Sequence, residues 1–280
     1  MSLLQISTTP TLVAPVLLGA FDGWIDAAGA ASAAAQHLAE GSDVVATFDG
    51  DALFDYRSRR PVLDVVDGSL ARLMWPEITI RRSTYGGRDL LILAGPEPDF
   101  RWREMGETIS DLALRLGVVQ WVSLGAIPAA VAHTRPVPVL ATASAPGLLR
   151  EDAIQGPQGL LRVPAAALSV VEMAVAEAGI PAVGFFAQVP NYVGGPYSAA
   201  TIALLENMGR HLGVELPLGM LAEDAIAQRS NLDDLVAAQP EARDYLQRLE
   251  EGSGQEMPSG DELASEIERF LREQGSDGPL

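Results

Sequence analysis

Short apolar runs alternating with longer segments of helical spacing constrain this chain more than any other feature. Residues 13–18, 43–48, 89–94, 118–124, 137–142 and 182–189 read as strands. Residues 24–39, 101–116, 159–178 and 198–212 read as helices, with Met105, Ile109, Leu112 and Leu116 at helical spacing in the second. Leu90-Leu91-Ile92-Leu93 has no polar alternation, as in a strand covered on both faces. A sheet with two apolar faces needs helices on each. The pattern therefore predicts an α/β fold with helices on both faces of a mostly parallel sheet. The strand-helix-strand unit over 13–48 predicts parallel pairing with a right-handed crossover. Residues 77–82 alternate Ile78 and Ile80 with polar neighbours, as an edge or antiparallel strand would. Residues 51–68 are polar and are expected to form a long loop.

The C-terminal quarter has a different composition. From Glu215 onward the sequence holds 16 acidic residues and 5 arginines, against 21 and 14 in the first 214 residues. This shift predicts an α/β domain over 1–216 and an acidic helical extension over 217–280. Leu232, Leu235 and Val236 are expected on one short helix, and Tyr245, Leu246 and Leu249 on another after Pro240. Residues 251–260 read as a linker. Ser259 and Glu262 then form a capping box before a stripe of Leu263, Ile267, Phe270 and Leu271. The final residues, 275–280, are expected to fray.

Composition excludes several chemistries. The sequence has no lysine, so it holds no phosphate loop ending in Gly-Lys-Ser/Thr and no Schiff-base lysine. With no cysteine it has no disulfide, thiolate zinc site or cysteine nucleophile. A formal net charge of −18 opposes nucleic acid and anionic membranes as partners. No run approaches the ~20 apolar residues that cross a bilayer. Residues 11–20 are apolar, but the first arginine is Arg57, so the run is expected to be a buried strand rather than a leader. The expectation is a cytoplasmic protein with no cofactor.

Four turns following strand-like runs carry the unusual side chains. They hold Asp22, Trp24 and Asp26; Glu97, Arg101 and Trp102; His133 and Arg135; and Asn191 with Tyr192. Ligands bind at the carboxyl ends of parallel strands in open α/β sheets, so parallel strands would gather these turns on one rim. There His133 and Arg135 suit an anion. Asp22, Asp26 and Glu97 suit acid–base work or a divalent ion. Trp24, Trp102 and Tyr192 suit an aromatic wall. A structural reading stands beside each. Asp22 would cap the following helix, Glu97 would pair with Arg101, and Arg135 would pair with Asp22 or Asp99. Trp24 and Trp102 would anchor helix starts. Gly86-Gly87 and Gly194-Gly195 lack the spacing of a dinucleotide or phosphate loop.

Six segments occur in an order that resembles the PAC2 family, that of proteasome assembly chaperone 2 and its archaeal and actinobacterial relatives. They are Phe21-Asp22-Gly23-Trp24-Ile25-Asp26-Ala27, Asp55-Tyr56-Arg57-Ser58-Arg59-Arg60-Pro61 and Gly95-Pro96-Glu97-Pro98-Asp99 with Arg101-Trp102. The others are Leu124-Gly125-Ala126, His133-Thr134-Arg135-Pro136 and Val189-Pro190-Asn191-Tyr192. The likeness runs over roughly residues 13–212, and the tail resembles the helical extension of the actinobacterial branch. The resemblance implies a three-layer αβα fold similar in outline to nucleoside phosphorylases. It also implies self-association into a homo-oligomer, a trimer being one form. Eukaryotic members are non-catalytic chaperones of the proteasome α-ring. Two departures stand out. The chain ends Asp277-Gly278-Pro279-Leu280 in place of the hydrophobic-Tyr-any ending of several proteasome-docking factors. Asn191 stands where the family shows His, removing an acid–base group.

Two functions follow as expectations. The first is a non-catalytic protein that works through protein contacts, with itself and with proteasome-related proteins. The alternative is a nucleoside- or nucleotide-like ligand binder, or a hydrolase or phosphorylase-like enzyme, using the strand-end rim.

Overall fold

The computed structural model describes residues 3–8, 10–157 and 159–252. Eleven strands and seven α-helices occur among them. In chain order they begin β1 Leu4–Ile6, β2 Val16–Asp22, α1 Ala30–Ala39, β3 Asp43–Phe48, α2 Gly50–Leu53, β4 Val62–Val66, β5 Ser69–Met74, β6 Thr79–Tyr85 and β7 Arg88–Pro96. They continue α3 Trp102–Arg115, β8 Gln120–Ala129, β9 Val139–Ala143, β10 Ile154–Gln155, α4 Ala167–Glu177, β11 Ala182–Pro190, α5 Ser198–Leu212, α6 Leu221–Ala238 and α7 Pro240–Gly252.

Nine strands make one mixed sheet in the order β1-β3-β6-β7-β2-β8-β11-β9-β10. The central four, β7, β2, β8 and β11, are mutually parallel, with Leu18 opposite both Ile92 and Val122. Antiparallel pairing flanks them: β6 on β7, β3 on β6 and β1 on β3 at one side, β9 on β11 at the other. Successive side chains of a strand alternate between faces. Leu17 and Trp121 therefore join Met105, Ile109, Leu168 and Val171 of α3 and α4 in one core. Leu18 and Val122 join Leu38, Leu204 and Met208 of α1 and α5 in the other. This is the expected three-layer αβα sandwich. A half-buried carboxyl group lies in the α4 layer. Glu172 accepts from Ser123 Oγ at 2.5 Å, and Ser123 Oγ accepts from Trp121 Nε1 at 2.7 Å. Burial pushes the Glu172 pKa up.

Several expectations are corrected. Strands β2 and β3 run in the same direction but are not paired, because β7 and β6 lie between them. Gly86-Gly87 is the cause. With φ of 57° and 74° it makes a two-residue hairpin turn, and Tyr85 faces Arg88 across it. Tight hairpins place successive strands side by side, so β6 takes the position beside β7. Of the two forms expected for the strand near 77–82, the structure shows the antiparallel one, paired on both sides. Helix α1 begins at Ala30 rather than near Trp24, after a 3-10 turn in which Ala28 has φ of 55°. Helix α4 begins at Ala167 rather than near 159. Pro164 lacks an N–H and disfavours helix at the residue before it. The short helix expected around Leu232 is the 18-residue α6. The capping box, the Leu263 stripe and the frayed end lie outside the described residues.

The expected loop over 51–68 holds α2 and then the first strand of a projecting hairpin. Strands β4 and β5 pair antiparallel with each other and, among the described residues, with no other strand. Asp67 and Gly68, at φ of 50° and 78°, form its turn. Val62, Leu63, Val65, Val66, Leu70 and Leu73 are all exposed, Leu70 at 76%. At its base Trp75 meets Tyr56 edge-on, ring centres 4.7 Å apart.

Candidate functional site at the strand-end rim

The carboxyl ends of β7, β2, β8 and β11 bring Pro96, Asp22, Ala129 and Pro190 to one edge of the sheet. The nine candidate residues lie in or beside the turns that follow these strands. Eight of them fall into two groups, one toward α3 and α4 and one toward α5 and α6, and Asp26 stands apart against α1. Among the described residues no hydrogen bond or ion pair joins the two groups.

Glu97 organises the first group. Its Oε2 accepts from Trp24 N at 3.0 Å, and its Oε1 accepts from Ala167 N at 2.7 Å. Glu97 N donates to Asp22 O at 2.9 Å. One carboxylate thus ties two rim turns to the N-terminus of α4, where backbone donors lack helical partners. Its expected partner, Arg101, pairs instead with Glu104 at 2.6 Å. Trp102 opens α3 and donates from Nε1 to Pro98 O at 2.6 Å, anchoring the helix start. Among the described residues Asp22 caps no helix. Its Oδ2 receives Arg59 at 3.1 Å. Asp99 Oδ2 receives Asp55 N at 2.8 Å. The segment from Asp55 to Arg59 therefore folds over the rim. Trp24 is 38% exposed beside these bonds.

Asp26 lies apart from that network and is 8% exposed. Its Oδ1 accepts from Ala31 N at 2.7 Å and Ser32 N at 3.2 Å, so Asp26 caps α1, as was expected of Asp22. Its Oδ2 has no hydrogen-bond partner among the described residues. Burial is the main cause of its raised pKa, partly offset by the bonds from Ser32 and Ala31.

The second group centres on His133, whose side chain is fully buried. Tyr192 Oη lies 2.8 Å from His133 N and 2.7 Å from Nδ1, while Nε2 faces Asp233 Oδ1 at 3.1 Å. A carboxylate only accepts, so Nε2 carries a proton, and Nδ1 and the Tyr192 hydroxyl share a hydrogen bond whose direction follows the protonation of the ring. The order carboxylate–imidazole–hydroxyl has the form of a proton relay. Here the hydroxyl also accepts a backbone N–H, and burial pushes the Tyr192 pKa up to about 12. The three groups tie the His133 turn to the turn after β11 and to α6.

The C-terminal helices supply the other side of that tie. Arg229 of α6 donates to His133 O at 3.1 Å and pairs with Asp233 at 3.2 Å. Gln228 Oε1 receives Ser198 N at the start of α5. Asn191 Nδ2 donates to Tyr245 Oη at 3.0 Å, and Thr134 Oγ1 donates to Glu250, both partners lying on α7. Arg135 is exposed, and among the described residues it pairs with no carboxylate, neither Asp22 nor Asp99. Sequence reasoning missed Arg59, Asp233, Tyr245 and Glu250. Arg59 lies in the segment 55–61, Tyr245 on the helix expected after Pro240, and Asp233 four residues after Arg229, yet none of these signals gave the residue a place at the rim. No group of three or more His, Asp or Glu side chains among the described residues is placed to hold a metal ion. No described helix is long and apolar enough to cross a membrane.

Fold and rim together define a three-layer α/β protein whose strand-end turns are tied down by its own chain. The sequence profile of the PAC2 family matches residues 20–236, and the chain belongs to that family. A Mycobacterium tuberculosis protein of unknown function is 33% identical, with 98% of this chain and 96% of that chain covered and a TM-score of 0.85. A PAC2 family protein of Streptomyces avermitilis is 35% identical over 83% of this chain and 99% of its own, with a TM-score of 0.75. A proteasome-assembly chaperone homologue of Mycobacterium tuberculosis is 36% identical over 82% and 99%, with a TM-score of 0.75. No functionally curated protein matches the chain.

Proposed function

We propose that this protein is a cytoplasmic, non-catalytic contact protein of assembly-chaperone type, working without a cofactor on proteasome-related proteins and on copies of itself. The β4–β5 hairpin carries this reading. An isolated two-stranded hairpin is at best marginally stable in water, and an apolar surface of this kind marks an interaction site. Here such a hairpin exposes apolar residues along both strands. The rim supports the same reading, since Glu97, Trp102 and Tyr192 are engaged in bonds within the chain. The likeness to a proteasome-assembly chaperone homologue points to the class of partner.

Native pull-downs with 20S particles and their assembly intermediates test the partner. Capture is expected with the unaltered protein and lost with Leu70→Asp. No capture in either case removes the proteasome from the proposal. Light scattering tests self-association, which predicts a species heavier than the 29.6 kDa chain, a trimer included. A lone monomer at micromolar concentration rejects it.

A further inference from the structure

An open groove of 530 Å³ runs between α5 and α6, beside the His133 turn. Ala199, Ile202, Ala203, Glu206 and Arg210 line it from α5. These positions recur at three- and four-residue intervals, so they share one helix face. That face spans about 16 Å at 1.5 Å per residue. Its first part is apolar, and Ile226 of α6, 72% exposed, adds to it.

The charge of the groove is opposite to that of the chain. A protein of net charge −18 presents here Arg135, Arg210 and Arg229 against the one carboxylate of Glu206. Arg229 is committed to Asp233. Arg210 bonds the neutral amide of Asn207 at 3.0 Å. Arg135 has no carboxylate partner among the described residues. The charge of Arg210 also acts on the carboxylate of Asp152, so Arg135 is the more available of the two guanidinium groups for bidentate contact with a carboxylate.

We propose that this groove binds an acidic, amphipathic peptide segment of a partner protein. The carboxylates would meet Arg135 and Arg210, and the apolar side chains would cover Ala199, Ile202 and Ile226. A length of about 16 Å with an apolar floor fits a few helical turns of peptide, the helix-in-groove mode, better than a compact anion. The proposal rests on the reading of the protein as a contact protein and names a second surface for it, separate from the β4–β5 hairpin.

Fluorescence anisotropy on the full-length protein tests it, with a labelled synthetic helical peptide carrying a Leu/Phe stripe and glutamates on the flank. Binding is expected to weaken tenfold or more with Arg135→Glu, with Ile226→Glu, and with a peptide whose glutamates are replaced by glutamine. Leu70→Asp is expected to bind the peptide as the unaltered protein does, which separates this site from the hairpin. Arg135 and Ile226 are exposed, so thermal unfolding should report both variants as folded. No binding at 100-micromolar protein overturns the proposal, as does binding indifferent to both groove variants. Full displacement by pyrophosphate or ATP also overturns it, in favour of a small-anion site.

Discussion

Tyr192 and His133 hold each other by two bonds, the tyrosine hydroxyl accepting from the histidine backbone N–H at 2.8 Å and sharing a second bond with its Nδ1 at 2.7 Å. The rings meet edge-on, 5.7 Å between centres. This joins the turn after β8 to the turn after β11 across a buried site. Tyr192→Phe keeps the ring and removes the hydroxyl, leaving two buried polar atoms of His133 without that partner. The expected loss is about 1–3 kcal/mol of unfolding free energy. Urea denaturation measures it, and an unchanged midpoint would show that the bonds contribute nothing net.

Glu97→Ala removes the acceptor for both Trp24 N and Ala167 N. The start of α4 then loses its side-chain cap, for which substitution by alanine typically costs about 0.5–2 kcal/mol. Glu97→Gln keeps one acceptor oxygen and is expected to lose less. Equal losses in the two variants, measured by denaturation, would show that one bond carries the whole effect.

Glu172 makes stability fall as pH rises. Its folded pKa is raised by burial, so the native chain keeps this proton at pH values where the unfolded chain, titrating near ~4.3, has released it. The contribution is complete below about pH 4 and is lost as pH climbs through the raised folded value. Glu172→Gln cannot titrate. The stability of the unaltered protein relative to that variant should therefore decline from pH 4 toward pH 7 in urea unfolding, and a constant difference would contradict this.

Asp89 has the opposite sign. Burial pushes its pKa up, but the bonds from Arg82, Val13 N and Thr84 outweigh burial and hold it below the usual carboxylate range. Its contribution is present above the unfolded value, near ~3.9, and is lost as pH falls through the depressed folded value. Asp89→Asn is expected to cost roughly 2–3 kcal/mol at pH 7, since charge-assisted bonds are the stronger ones. The cost should shrink in acid. A cost that grew in acid would reverse the assignment.

Leu70→Asp should leave monomer stability within about 0.5 kcal/mol, because the side chain touches solvent rather than core. A larger loss in denaturation would mean that the hairpin is covered even in the monomer.

The parallel centre of the sheet and its strand-end rim were legible because Leu90-Leu91-Ile92-Leu93 and its counterparts are apolar without alternation. Order along the sheet was not, since it depends on which strand a tight turn delivers. Two such turns were nevertheless written in the sequence. Asp67-Gly68 and Gly86-Gly87 each separate two strands by two residues able to take positive φ. Reading Gly86-Gly87 against a phosphate loop, and 51–68 as a loop, hid both hairpins. The partners of the rim lay further from reach. His133 meets Asp233 100 residues away and Thr134 meets Glu250 116 residues away, and no periodicity encodes such pairs. Glu97 and Asp26 were legible as residues of interest but not in role. Which helix start each carboxylate caps depends on how the turns lie over one another.

The tie between Thr134 and Glu250 also sets an order of events during synthesis. The ribosome adds about 5–20 residues each second. Some 3–12 seconds therefore separate Tyr192 from the last turn of α7. During that interval the strands that carry the rim are already made, while the α6 and α7 residues that close over His133 and Asn191 are still being added. A nascent chain thus shows its neighbours a rim that the finished protein keeps covered.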